Sequence, residues 1–144
     1  MRVEIKVSAE IKEPYAVIYT NAITGEVIKI RSILEVQKPV VSVADGERII
    51  VLTPEEIYMI RTENENVVVY NKDHRYISDR RLYEMEALLG NGFLRISKST
   101  IINLRMIDYV EPMFNGMMMI LLKNGNKDFI SRKYLPQLKQ YLGI

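Results

Sequence analysis

Apolar residues along this chain recur at two spacings, and the switches between them mark out its elements. Residues 2–7 (RVEIKV) alternate Val3, Ile5 and Val7 with charged residues, the period-two pattern of a half-buried strand. The Glu13-Pro14 pair interrupts that pattern, because a residue before proline disfavours the α region. Tyr15 to Thr20 (YAVIYT) is a β-branched and aromatic run, expected as a second strand. Asn21 is placed to cap a helix from about Ala22 to Gln37. Its Val27, Ile30, Ile33 and Leu34 share one helical face, and Pro39 ends it. Gly25 costs about 1 kcal/mol relative to Ala inside a helix and favours a later start.

From Val40 onward the period-two pattern dominates. Val40–Val43 and Arg48–Leu52 flank an Asp45-Gly46 turn, which predicts a hairpin. Thr53-Pro54-Glu55-Glu56 reads as a short capped turn, with proline at the first helical position and acids in the first turn. Strands are expected at Ile57–Arg61, Val67–Asn71 and Arg75–Ile77, the first two joined by a polar loop over Thr62–Asn66. Helical spacing returns over Arg81–Leu89, through Leu82, Met85, Leu88 and Leu89, and stops at Gly90-Asn91-Gly92. After a strand at Phe93–Ile96, residues 97–104 are expected as a short helical or coiled link. Met106–Pro112 and Met117–Lys123 predict strands, and Asn124-Gly125 is a strong hairpin signal returning through Lys127–Ile130. Ser131 is expected to cap a last helix over Arg132–Leu142, with Pro136 early enough to be tolerated. The pattern is that of a strand-rich module of about 100 residues behind a small αβ appendage.

Composition narrows the chemistry. The 144 residues are 48% hydrophobic and 26% charged, sufficient for a packed core. The absence of cysteine excludes disulfides, thiolate metal sites and cysteine nucleophiles, and fits a reducing compartment. The first residues lack the apolar core of a signal peptide, and no apolar run approaches the roughly 20 residues that span a bilayer, so a cytoplasmic protein is expected. Charge is uneven along the chain. Residues 1–45 carry six Lys/Arg against six Asp/Glu, residues 46–91 six against nine, and residues 92–144 eight against three. A basic final third in a nearly neutral chain suits an anionic polymer, and solvated surface charge accounts for it equally.

Catalytic chemistry finds little support. His74, the one histidine, sits in a turn with no second His or Cys to share a metal. Ser97, Ser99 and Thr100 lack a nucleophile-elbow context, and the glycines mark turns instead of a phosphate-binding loop. Glu55 and Glu56 complement a helix start, and Glu84 and Glu86 point apart on a helix. No enzyme, cofactor, metal or small-molecule substrate is expected.

Recognition concentrates in Phe93-Leu94-Arg95-Ile96-Ser97-Lys98-Ser99-Thr100-Ile101-Ile102-Asn103-Leu104. Its apolar members anchor it while Ser97, Lys98 and Ser99 project outward. Hydroxyl and ammonium groups suit phosphate oxygens, and a lysine also reaches guanine O6 or N7. A helix cap with one exposed lysine is the plainer alternative. This stretch, followed by Ile107-Asp108-Tyr109-Val110-Glu111-Pro112, resembles the core signature of LytTR domains. Ile130-Ser131-Arg132-Lys133-Tyr134-Leu135 resembles the same family's C-terminal signature. Looser matches run through Glu56–Ile60, the polar loop at 62–66 and the helix ending at Leu89. The resemblance covers residues 46–144 and leaves 1–45 outside, in the place where many relatives carry a phosphoacceptor receiver domain.

The resemblance implies a fold that is mostly β, α+β overall: a LytTR-like stack of small antiparallel sheets with short helices, here preceded by a strand–strand–helix segment over 1–45. It implies a sequence-specific transcription regulator that touches successive major grooves of double-stranded DNA through loops and bends it. Carried onto matching positions, Lys98, Lys133 and Asn66 become base-edge contacts. Arg132, Ser97 and Ser99 become phosphate contacts, with Arg95 and Lys127 as further ones. Arg132 also suits a structural anchor pairing with Glu111 or Asp108. A homodimer on DNA is expected, and residues 1–45 are expected to serve dimerisation or docking to a small membrane-protein inhibitor, or simply to pack on the sheet as a stabilising extension. The competing function is a non-DNA interaction module whose basic end binds an acidic protein.

Overall fold

The structure, a computed structural model, describes residues 1–35 and 39–144. The chain divides into two compact units, Met1–Gln37 and Lys38–Ile144.

The first unit contains one regular element, helix α1 (Gly25–Leu34). Thr24 caps it, its hydroxyl accepting from the Val27 N–H at 3.4 Å, so the helix starts later than a cap at Asn21 predicts. The expected continuation to Gln37 lies in part outside the described residues. The two expected strands, at 2–7 and 15–20, are not formed: neither is in a ladder, and no residue from 1 to 35 is buried. An alternating sequence becomes a strand only when a neighbour takes its N–H and C=O groups and a surface covers its apolar side.

The second unit opens with β1 (Val41–Asp45), which pairs along its whole length with β2 (Arg48–Leu52) around Gly46 at φ 60°. β1 thus lies before the expected Gly46 boundary and pairs into the same sheet. A turn at Pro54–Glu56 follows, its Thr53 N–H donating to Glu56 Oε2 at 2.7 Å. Then come β3 (Met59–Glu63), β4 (Asn66–Tyr70), β5 (Arg75–Ser78), helix α2 (Leu82–Leu89), β6 (Phe93–Arg95) and β7 (Thr100–Asn103). These strands form a seven-stranded antiparallel sheet in the order β2-β1-β5-β4-β3-β7-β6. The last part, β8 (Ile107–Pro112), β9 (Met118–Leu122) and β10 (Lys127–Ile130), makes a separate three-stranded antiparallel sheet, followed by helix α3 (Leu135–Leu142).

Two cores lie on opposite sides of the large sheet, as the alternation of strand side chains requires. Ile60, Val67, Val69 and Ile101 face one core, closed by Leu82, Met85 and Leu89 of α2. Met59 and Ile102, their neighbours in sequence, face the other, closed by Ile120, Leu122, Ile130 and Leu138 of the small sheet and α3. Each such side chain contributes about 1.5–3 kcal/mol by leaving water.

Two local expectations are corrected here. Residues 97–104 are not a helical link: Ile96 N–H donates to the Thr100 carbonyl at 3.0 Å, closing a turn over Ser97–Ser99, and Thr100–Asn103 is a fully buried strand between β3 and β6. The β-branched Thr-Ile-Ile run gains more from that slot than from a helix. Buried Asn103 anchors it, its amide donating to the Ile57 carbonyl at 2.9 Å. The last helix begins at Leu135, with Pro136 in its first turn, and Ser131 is not its cap. A proline there needs no N–H of its own and sets the helix start, so residues 131–134 form a turn instead.

Candidate nucleic-acid interface

Three turns carry the residues singled out by the sequence. The first joins β3 to β4. The polar stretch expected as a loop is tighter than a loop: Glu63 and Asn66 are a ladder pair, and only Asn64 and Glu65, at φ 47° and 69°, make the turn. Two successive positive φ values match the twist of a hairpin. Asn66 is the first residue of β4 and is exposed.

The second turn is Ser97-Lys98-Ser99. Ser97 Oγ accepts from the Ser99 N–H at 3.2 Å and lies 3.3 Å from Ser99 Oγ. Arg95 sits beneath: its guanidinium donates to the Ser97 carbonyl at 3.1 Å, the Lys98 carbonyl at 2.6 Å and Glu86 Oε2 at 2.9 Å. With only 21% of its side chain accessible, Arg95 is a clamp that shapes the turn from below. Lys98 is exposed at the tip, and its ammonium has no partner among the described residues.

The third turn, Ser131–Tyr134, joins β10 to α3. Arg132 donates from Nε to the Asn115 carbonyl at 2.8 Å, and its Nη2 donates to the same oxygen. It is a structural anchor, but to a main-chain carbonyl and not to Glu111 or Asp108. Lys133 is exposed, its Nζ 5.4 Å from the centre of the Tyr134 ring.

The fold brings these turns together with two main-chain hydrogen bonds. Thr62 N–H donates to the Ser99 carbonyl at 2.8 Å, joining the first turn to the second. Ser131 N–H donates to the Ile96 carbonyl, also at 2.8 Å, joining the second to the third. Asn66, Ser97, Lys98, Ser99, Arg132 and Lys133 thus belong to one edge of the unit. Lys127 stands apart, exposed at the start of β10 beside the Asn124-Gly125 turn. That turn is tied to the far end of β4 by Asn124 Nδ2 donating to the Asn71 carbonyl at 2.9 Å.

A charged network behind the first turn escaped the sequence reading. Arg61 donates to Glu63 Oε1 at 2.6 and 2.8 Å, Tyr70 donates its hydroxyl to the same oxygen, and Arg75 donates to Oε2 at 3.0 Å. Asp128 of β10 lies 3.6 Å from Arg61 and accepts from the buried Thr100 hydroxyl at 2.7 Å. Burial opposes charge on Glu63, but hydrogen bonds from Tyr70 and Arg61 and the charges of Arg61 and Arg75 outweigh it and hold the carboxyl below its ordinary pKa. Burial and the same carboxylate raise the Tyr70 phenol. The available signal was the spacing: Arg61 and Glu63, two apart on a strand, share a face. The net effect is that Glu63, Asp128 and Glu86 are paired with arginines, while Glu65 in the first turn is exposed and has no arginine partner among the described residues, and Lys98 stays unpaired.

The edge carries hydroxyls, an amide, two ammonium groups and the Glu65 carboxylate on turns, the third of which leads directly into α3. Among the described residues no two helices follow one another, so there is no helix-turn-helix. The fold is a mostly β module that carries these three turns at one edge. The LytTr DNA-binding domain model matches residues 47–143, and the chain belongs to that family. It is 32% identical over 100 residues to the sensory transduction protein LytT of Bacillus subtilis, covering 69% of this chain and 42% of that protein. The chain therefore spans about two-fifths of the length of that relative. An uncharacterized HTH-type transcriptional regulator of Staphylococcus aureus is 29% identical, with 100% of this chain and 99% of the relative covered. A solved LytTr DNA-binding domain of a putative methyl-accepting/DNA response regulator from Bacillus cereus superposes with a TM-score of 0.70 at 21% identity, covering 75% of this chain and all of that one. The fold is accordingly the LytTR one, mostly antiparallel β with three short helices. No helix of the described residues is long and apolar enough to cross a membrane.

Proposed function

We propose that this protein is a sequence-specific DNA-binding transcription regulator that reads successive major grooves through its three linked turns. The observation that carries the reading is the pair of 2.8 Å main-chain hydrogen bonds that align the turns at one edge. Lys98 and Lys133 are base-edge contacts to guanine, and Asn66 suits adenine, whose N6 and N7 match an amide. Ser97 and Ser99 contact phosphate, as does Lys127 from the flank. Arg95 and Arg132 position the turns through the main-chain carbonyls they hold.

Gel-shift affinity at several salt concentrations tests this. Lys98→Ala is expected to weaken specific binding by about 1–3 kcal/mol while nonspecific binding changes little. Equal loss on all sequences, with the salt slope flattened by about one unit, makes Lys98 a phosphate contact. Unchanged binding to every duplex removes Lys98 from the interface altogether. One unit of this size covers limited DNA surface, so two protomers are expected on half-sites about one helical turn apart.

Residues 1–35 are read as the self-association or partner-docking element, including docking to a small membrane protein. The supporting observation is that most of their large apolar residues, Ile5 at 85% accessible among them, are uncovered. Sedimentation of Ile5→Ala tests this: weaker self-association at an unchanged melting temperature is expected, and identical association sets the reading aside.

A further inference from the structure

The connection between β8 and β9 presents a large aromatic side chain to solvent in a backbone built to hold it there. Met113 N–H donates to the Met117 carbonyl at 2.8 Å, and Phe114–Gly116 form a single tight turn. Asn115 and Gly116 both have positive φ, 66° and 70°, so the tip has a defined shape. Phe114 at that tip is 90% accessible. A lone exposed apolar residue is ordinary on a protein surface. What sets this one apart is its anchor: Arg132 places two guanidinium donors on the carbonyl of Asn115, the residue beside Phe114. Arg132 is also the neighbour of Lys133, in the turn assigned to DNA. Arg132 thereby ties the backbone of the Phe114 turn to the turn that carries Lys133.

We propose that Phe114 is a further reading residue of the DNA interface, its ring resting on the C5-methyl group of a thymine beside the base pair contacted by Lys133. The thymine methyl is the apolar group that the major groove offers, and aromatic contact with it distinguishes thymine from the other bases. This inference rests on the DNA-binding reading above. Arg132 is then a positioning residue, acting through the Asn115 carbonyl and touching no base.

The test uses the full chain and the duplex it selects from a random DNA pool. Each thymine of the selected site is replaced in turn by deoxyuridine, which deletes only the methyl group. Wild-type protein is expected to lose roughly fourfold in affinity at one thymine, the size of covering a single methyl group. Phe114→Ala is expected to bind the parent site as weakly as wild type binds the deoxyuridine site, and to make no distinction between the two. Arg132→Ala is expected to lose that same distinction, because its tip is unanchored. A mere phosphate contact from Arg132 would weaken both duplexes and leave their ratio intact. Phe114 touches no core, so its substitution leaves the melting temperature in place. If Phe114→Ala binds the selected site like wild type, or if both proteins respond equally to every methyl deletion, the inference is overturned while the DNA reading stands. If wild-type protein selects no sequence from the pool, both fall together.

Discussion

Residues 2–7 alternate apolar and charged side chains more regularly than β3 does, yet β3 is a central strand and residues 2–7 have no ladder. β3 reads Met-Ile-Arg-Thr-Glu, with charges at two of five positions. It succeeds because β4 and β7 flank it, because Met59 and Ile60 enter separate cores, and because Arg61 and Glu63 neutralise one another on a shared face. The segment at 2–7 has the side chains of a strand and none of those neighbours. A strand is a property of at least two segments, so alternation states a capacity that only pairing realises.

That contrast can be broken from the β side first. Ile60, fully buried in the first core, is expected to lose about 2–5 kcal/mol on substitution by Ala, enough to lower the melting temperature by more than 10 °C for a unit of this size. A shift of a degree or two would mean that the core repacks around the cavity. Next in size is Glu63→Gln, which removes one charge from a network that draws on five strands. A loss of about 1–3 kcal/mol at neutral pH is expected, the worth of hydrogen bonds to a charged group. The sign with pH follows from the lowered pKa of Glu63. Its contribution is present above the unfolded carboxylate value of about 4.3 and is lost as pH falls through the lower folded value. Urea midpoints of wild type and Glu63→Gln should therefore converge as the solution is acidified from pH 7, and a gap that stays constant to low pH would assign the loss to packing. Smallest is Ile5→Ala, the same kind of truncation on an uncovered side chain, expected to change unfolding free energy by less than about 0.5 kcal/mol. A loss comparable with Ile60→Ala would show residues 1–35 to be part of a packed core.

The candidate site was legible where local chemistry decides and illegible where distance does. Short signatures point to Lys98 and Lys133, and both stand exposed on turns. Asn66 was found as well, although its polar loop proved to be the paired end of a hairpin. Arg95 and Arg132 carry the same charge in the sequence, where Arg132 suits either a phosphate contact or an anchor to Glu111 or Asp108; both guanidinium groups hold main-chain carbonyls that no local pattern predicts. Phe114 gave no signal, because its significance depends on Arg132, far along the chain.

Taken by itself, the sequence determined the local geometry. Gly46 and Asn124-Gly125 specify tight turns through their backbone freedom, Leu82, Met85 and Leu89 specify the buried face of α2, and Pro136 allows a helix to begin where it sits. Tertiary structure alone decided which extended segments became strands, since a ladder needs a partner from elsewhere in the chain. It also decided that turns near residues 64, 98 and 132 meet at one edge, through two hydrogen bonds between peptide groups that any sequence possesses. Side-chain identity chooses the turns, and backbone pairing across the chain chooses their company.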